Sequence, residues 1–209
     1  MKLATALAQV GDAALSVLAP SVARSRSDQP RHEVLLDEKP FQLRGYEPML
    51  VAEVTVTGDR QNAADSGFRA LADYIFANKR EGPDIAMTTP VLQAPAGADP
   101  LMTVSGGGTA AGRYTVRFMM PHAWTEETLP DPANPDIAIH TIPAREMAVV
   151  TFAGRATDET VREQSERLRE FIGRQNLRAT GAIEYAYYDP PFTPPPLRRN
   201  EVMMGVCRE

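Results

Sequence analysis

The sequence predicts an α+β protein in which two pseudo-symmetric repeats, each strand, strand, helix, strand, strand, pack into one twisted antiparallel sheet or open barrel. Two helices cover the sheet, and a further helix precedes it. Three observations carry this expectation. Apolar residues alternate with polar ones in segments that end at glycine turns, the mark of half-buried strands. Two intervening segments carry apolar stripes at helical spacing. The copies also keep register, since Gly154 follows Gly58 by 96 positions and Leu168 follows Leu71 by 97.

Phe41 to Pro48 opens the first copy, and in Met49 to Gly58 the residues Leu50, Ala52, Val54 and Val56 alternate. Asn62 is the expected N-cap of a helix with Asp65 in its first turn, Phe68, Leu71, Ala72 and Ile75 as its stripe, and Gly82-Pro83 as its stop. Ile85 to Leu92 reads as a strand that Pro90 confines to an edge or bulge, because proline donates no backbone hydrogen bond. Residues 93–113 lack periodicity and read as a loop, and Tyr114 to Met120 resumes the strand pattern. The second copy runs through Ile137 to Ile142, Met147 to Gly154, and a helix capped by Thr157 with Val161, Leu168, Phe171 and Ile172. It closes with Ala182 to Tyr188 and Asn200 to Val206.

Residues 1–31 form a separate unit. Leu3, Leu7, Val10, Ala14, Val17 and Leu18 recur at helical spacing, so an amphipathic helix followed by a polar linker is expected, with the folded domain at 32–209. Gly11 and Asp12 interrupt the apolar run a secretory signal would need, which favours a cytoplasmic protein over an exported one. No run approaches the ~18 consecutive apolar residues of a membrane span.

Composition excludes several chemistries. A net charge of −5 argues against a general nucleic-acid binder. The single cysteine, Cys207, excludes an intrachain disulfide and a multi-thiolate zinc site. His32 in the linker, His122 and His140 have no ligand partner at metal-site spacing, although one axial ligand can suffice for a heme. Ser66 and Ser105 lack a nucleophile context, and Glu126, Glu127, Asp131 and Asp136 crowd a proline-rich turn that reads as solvated. No enzyme is expected.

Tyr188 to Val202 stands out instead. Pro190, Pro191, Pro194, Pro195 and Pro196 stiffen a loop that has no strand face in which to hide Phe192 and Leu197, and it ends in Arg198 and Arg199. An apolar edge beside two cations suits an apolar anion.

Ile85-Ala-Met-Thr-Thr-Pro-Val91, Arg117-Phe-Met-Met-Pro121, Leu129-Pro130, Tyr188-Asp-Pro-Pro-Phe192 and Arg199-Asn-Glu-Val202, in this order over about residues 32–206, resemble the SOUL heme-binding protein family. The resemblance implies a twisted β-barrel of two pseudo-symmetric halves, similar to the effector-binding domains of bacterial drug-sensing regulators. It implies non-covalent binding of heme or a related tetrapyrrole in a groove between the first long helix and the proline-rich loop. Carried over residue by residue, the groove would use Phe68, Leu71, Ala72 and Ile75 from the helix, and Phe192, Leu197, Arg198 and Arg199 from the loop. No residue matches the proposed axial histidine of some members, so the iron ligand stays open. Three functions follow in order: a tetrapyrrole carrier, buffer or sensor; an effector or protein-interaction module without heme; and an enzyme acting on a tetrapyrrole.

Overall fold

A computed structural model describes residues 27–97 and 112–208; the expected N-terminal helix lies outside them. Nine strands form one antiparallel sheet: β1 (His32–Glu38), β2 (Phe41–Tyr46), β3 (Met49–Thr57), β4 (Val91–Pro95), β5 (Arg113–Met119), β6 (Ile137–Ile142), β7 (Arg145–Ala153), β8 (Leu177–Tyr187) and β9 (Arg199–Arg208). Helix α1 (Arg60–Ile75) follows β3 and α2 (Asp158–Arg174) follows β7.

The hydrogen-bonded order is β1-β2-β7-β9-β8-β4-β5-β3-β6. Leaving out β1, the order reads the same from both ends when β2, β3, β4 and β5 are matched with β6, β7, β8 and β9. Only Glu47 and Pro48 link β2 to β3, six places apart in that order. Six inter-strand steps would span roughly 29 Å in a flat sheet, whereas three Cα steps reach at most about 11 Å. The sheet therefore curls back on itself, and the equally short link from β6 to β7 imposes the same curvature. No pairing joins β1 to β6 among the described residues.

Register partners share a face, so Ala52, Phe118, Val91, Tyr187, Asn200 and Phe152 form one row across β3, β5, β4, β8, β9 and β7. Both helices lie on this face. Leu71, Tyr74 and Ile75 of α1 pack with Ala52, Val54, Val116 and Phe118, while Val161, Leu168, Phe171 and Ile172 of α2 pack with Val150, Val202 and Met204. The opposite face buries Val51, Leu92, Met119, Met147, Val149, Ala186 and Met203 in a cluster of its own. No helix contributes to that cluster; the curl of the sheet encloses it.

Several elements depart from expectation. His32 lies in β1 rather than in a linker. Asp59, not Asn62, caps α1, accepting from the Asn62 amide at 2.9 Å. The helix ends at Ile75, before Gly82-Pro83. The segment from Ile85 to Pro90 forms no strand; Ile85 N donates to Ile75 O, Thr88 Oγ1 to Met119 O and Thr89 N to Asp28 O, and pairing starts only after Pro90. Residues 93–95, expected in the loop, extend β4, and residues 98–111 lie outside the description. Thr157 caps α2 as expected, accepting from the Thr160 amide.

Candidate functional site

Helix α1 seats Arg60, Ala63, Gly67, Leu71, Tyr74 and Ile75 on the sheet. At 100° per residue this seam leaves Phe68 and Ala72 on one flank, rotated away from the buried line that the sequence stripe combined with them. The closeness of α1 to β5 explains the rotation: a Cβ on Gly67 would sit 2.5 Å from Val116 Cγ2. Leu71 and Ile75 are thus core residues beneath the site. Ala72 is half-buried, and Phe68 is 39% exposed, its ring edge-on to Phe118 at 5.3 Å between centroids.

From Phe118 the row continues through Val91 to Tyr187, two inter-strand steps or roughly 10 Å away. The proline-rich loop leaves the sheet one residue later. It is stiffened by a short 3-10 turn, Pro195–Leu197, and pinned to the end of β7 by Gly154 N donating to Pro195 O at 3.0 Å. Phe192 and Leu197 project from it, 53% and 50% exposed. Among the described residues only five large apolar side chains are exposed, and Phe68, Phe192 and Leu197 are three of them.

The two arginines differ. Arg198 donates from Nε to Thr193 O at 2.7 Å and from Nη2 to Pro191 O. Both acceptors are neutral, so these bonds hold the guanidinium without spending its charge on a carboxylate. Arg199 lies over the Tyr188 ring, 4.0 Å from its centroid, and donates to Glu201 Oε1 at 2.6 Å from Nη2. Its charge is turned inward.

Behind Arg199 lies a polar network that sequence reasoning did not find. Glu201 takes Arg44 on both oxygens, at 3.0 and 3.1 Å, and also accepts from Tyr188 and Thr151. Burial alone would raise the Glu201 pKa, but Arg44 and Arg199 outweigh it and hold the carboxyl below its usual range. Burial pushes the Tyr46 and Tyr187 hydroxyls up to about 12, against the opposing effect of Arg44 on the first and Arg60 on the second. Alternation marks Arg44 and Glu201 only as inward-facing; the pairing is between strands 157 positions apart.

Two cavities border the sheet, and neither is lined by any of the eight predicted groove residues. One, of about 400 Å³, includes Met49, Met119, Met120, His122 and Trp124. The other, of about 270 Å³, lies beside Arg60 and α2. His122 therefore stands by a cavity, whereas His140 sits 3.8 Å from Glu53 and His32 packs its ring against Tyr46. Of the eight predicted residues, Phe68, Phe192 and Leu197 are exposed, Leu71 and Ile75 are buried, and none is a histidine. Apolar flanks and one cation held by neutral carbonyls fit a flat macrocycle bearing acidic side chains; the donor set supplies no evident iron ligand. Among the described residues no three His, Cys, Asp or Glu side chains converge to hold a metal ion, and no helix is long and apolar enough to cross a membrane.

The curled antiparallel sheet with two helices on one face is a fold shared with solved structures. The family model described as SOUL heme-binding protein matches residues 27–205, and the chain belongs to that family. The EcmrR C-terminal domain is similar at a TM-score of 0.61 and 10% identity, over 81% of this chain and 98% of that one. A structure titled as a hydrolase from Listeria innocua is similar at 0.55 and 15% identity, over 83% and 94%. At such identities the likeness is one of fold. No curated protein sequence matches the chain.

Proposed function

We propose that the protein binds heme or a related tetrapyrrole non-covalently, as a carrier, buffer or sensor, on the edge between α1 and the proline-rich loop. The observation that carries this reading is that α1 and the loop bear three of the five exposed large apolar side chains of the described residues, Phe68, Phe192 and Leu197, in a chain of the SOUL family. Phe68, Ala72, Phe192 and Leu197 would meet the macrocycle. Leu71 and Ile75 back the helix from the core, Arg198 faces acidic side chains of the ligand, and Arg199 fixes the root of the loop. We read the two halves as a true repeat about a pseudo-two-fold and the curled sheet as barrel-like. We also place the protein in the cytoplasm, which fractionation of cells expressing the full chain would check.

Titration with hemin, followed at the Soret band, tests the site. A saturable shift is expected. Burial of a phenylalanine is worth roughly 1.5–3 kcal/mol, so Phe68→Asp and Phe192→Asp should each weaken binding about tenfold or more. No saturable shift, or one indifferent to both substitutions, would overturn the assignment. A second reading, an effector module without heme, is favoured by the two cavities lying away from this edge. Thermal stabilisation by other apolar compounds but not by porphyrins would support it. An enzyme acting on the tetrapyrrole is the third reading, and loss of the Soret band on adding a reductant in air would reveal it.

A further inference from the structure

The 270 Å³ cleft beside Arg60 is lined by Tyr114, Asp158, Val161, Arg162, Ser165, Arg169, Ile183 and Tyr185. Of the tyrosines in the described residues, Tyr46, Tyr74, Tyr187 and Tyr188 all spend their hydroxyls on protein partners. Tyr114 and Tyr185, the two that line the cleft, have no hydroxyl bond to any protein group among the described residues. A phenol at such a site keeps a donor for a ligand. Burial, and to a smaller degree the neighbouring Tyr114, raise the Tyr185 pKa, so its hydroxyl stays protonated at neutral pH.

The charges of the lining are lopsided. Three arginines face one carboxylate in a chain whose net charge is −5. Buried Arg60 is committed: it bonds Asp158 at 2.9 Å, Tyr187 at 2.7 Å and Ala156 O at 2.6 Å. Arg162 has only an exposed pairing with Glu166 at 3.5 Å, and Arg169 makes no ion pair among the described residues. Val161 and Ile183 supply an apolar wall. Two phenolic donors and two weakly engaged guanidiniums around a small partly apolar space match an oxyanion on a compact hydrocarbon body.

We propose that this cleft is a second binding site, for a small organic carboxylate of about one ring. It goes beyond the tetrapyrrole reading and shares no residue with that edge. Benzoate titrated into the full-length protein, followed by saturation-transfer NMR and calorimetry, should bind saturably, while benzamide and benzylamine should not. Loss of one hydrogen bond to a charged group is worth roughly 1.5–3 kcal/mol, so Tyr114→Phe/Tyr185→Phe should weaken benzoate about tenfold or more. These substitutions remove hydroxyls without protein partners and should leave the thermal midpoint in place. Arg169→Gln, at an exposed position, is the independent variant and should weaken benzoate too. Absence of saturable binding, equal binding of benzamide, or affinity unchanged in both variants would overturn the site. Tighter binding of phenyl phosphate or inorganic phosphate would overturn the carboxylate assignment, and displacement of benzoate by hemin would overturn its separateness.

Discussion

Glu201 is fully enclosed by the sheet yet ionised, because Arg44 meets it with both terminal nitrogens and Arg199, Tyr188 and Thr151 occupy its remaining acceptor positions. Removing one partner of a buried pair leaves a charge without compensation, at a cost of about 3–5 kcal/mol. Arg44→Ala should therefore destabilise the fold by about that amount in urea melts. Glu184, held at 2.9 Å by Arg145, also has its pKa lowered: burial opposes the shift, but Arg145 prevails. For both carboxyls the folded pKa lies below the unfolded one. The stability they contribute is present above the unfolded glutamate value of about 4.3 and is lost as pH falls through the folded value. Melting points recorded across this range should drop with acid, and a flat profile would contradict the pairing. At this scale Phe192 and Leu197 were legible in the sequence, since a loop of prolines offers no face for burial. Arg199 was legible only as a cation. Glu201, which neutralises it, shares its strand face two residues on, but the Tyr188 ring beneath its guanidinium comes from across the loop.

Among the elements, α2 was legible because Thr157, two acidic residues and a regular stripe agree on where it starts. Helix α1 was legible in kind but not in phase. Asp59 and Asn62 are both competent caps, and the tertiary fit of Gly67 against Val116, not the apolar stripe, sets which face is buried. This fit makes a prediction. Gly67→Ala would place a methyl within 2.5–3.2 Å of Val116 side-chain carbons, and such overpacking costs about 1–3 kcal/mol even though alanine favours helix. Adding Val116→Ala should recover part of the loss. If Gly67→Ala alone raised the melting point, the close approach of α1 to β5 would be wrong. The segment Ile85–Pro90 misled because its alternation suits a strand, whereas its backbone amides at Ile85 and Thr89 donate to Ile75 O and Asp28 O, and the Thr88 hydroxyl to Met119 O, instead of joining a ladder.

For the whole molecule, an antiparallel sheet with two covering helices could be read from periodicity, but the strand order could not. Pairings such as β2 with β7 depend on contacts 99 to 109 positions apart, about which local pattern is silent. Both cavities escaped notice for the same reason, each being assembled from several elements. The order itself has a mechanical consequence. β2, from the first half of the chain, is zipped to β7 of the second, and β6, from the second, is zipped to β3 of the first. The halves thus clasp each other like interlocked hands, with the β4–β8 seam between them. A protease cut in the exposed stretch of residues 125–128 would sever the chain without releasing either piece. Co-expressed as separate fragments, 1–127 and 128–209 should co-purify and recover the far-UV circular dichroism of the intact protein. Either fragment expressed alone should remain unfolded, and a stably folded single half would refute the clasp.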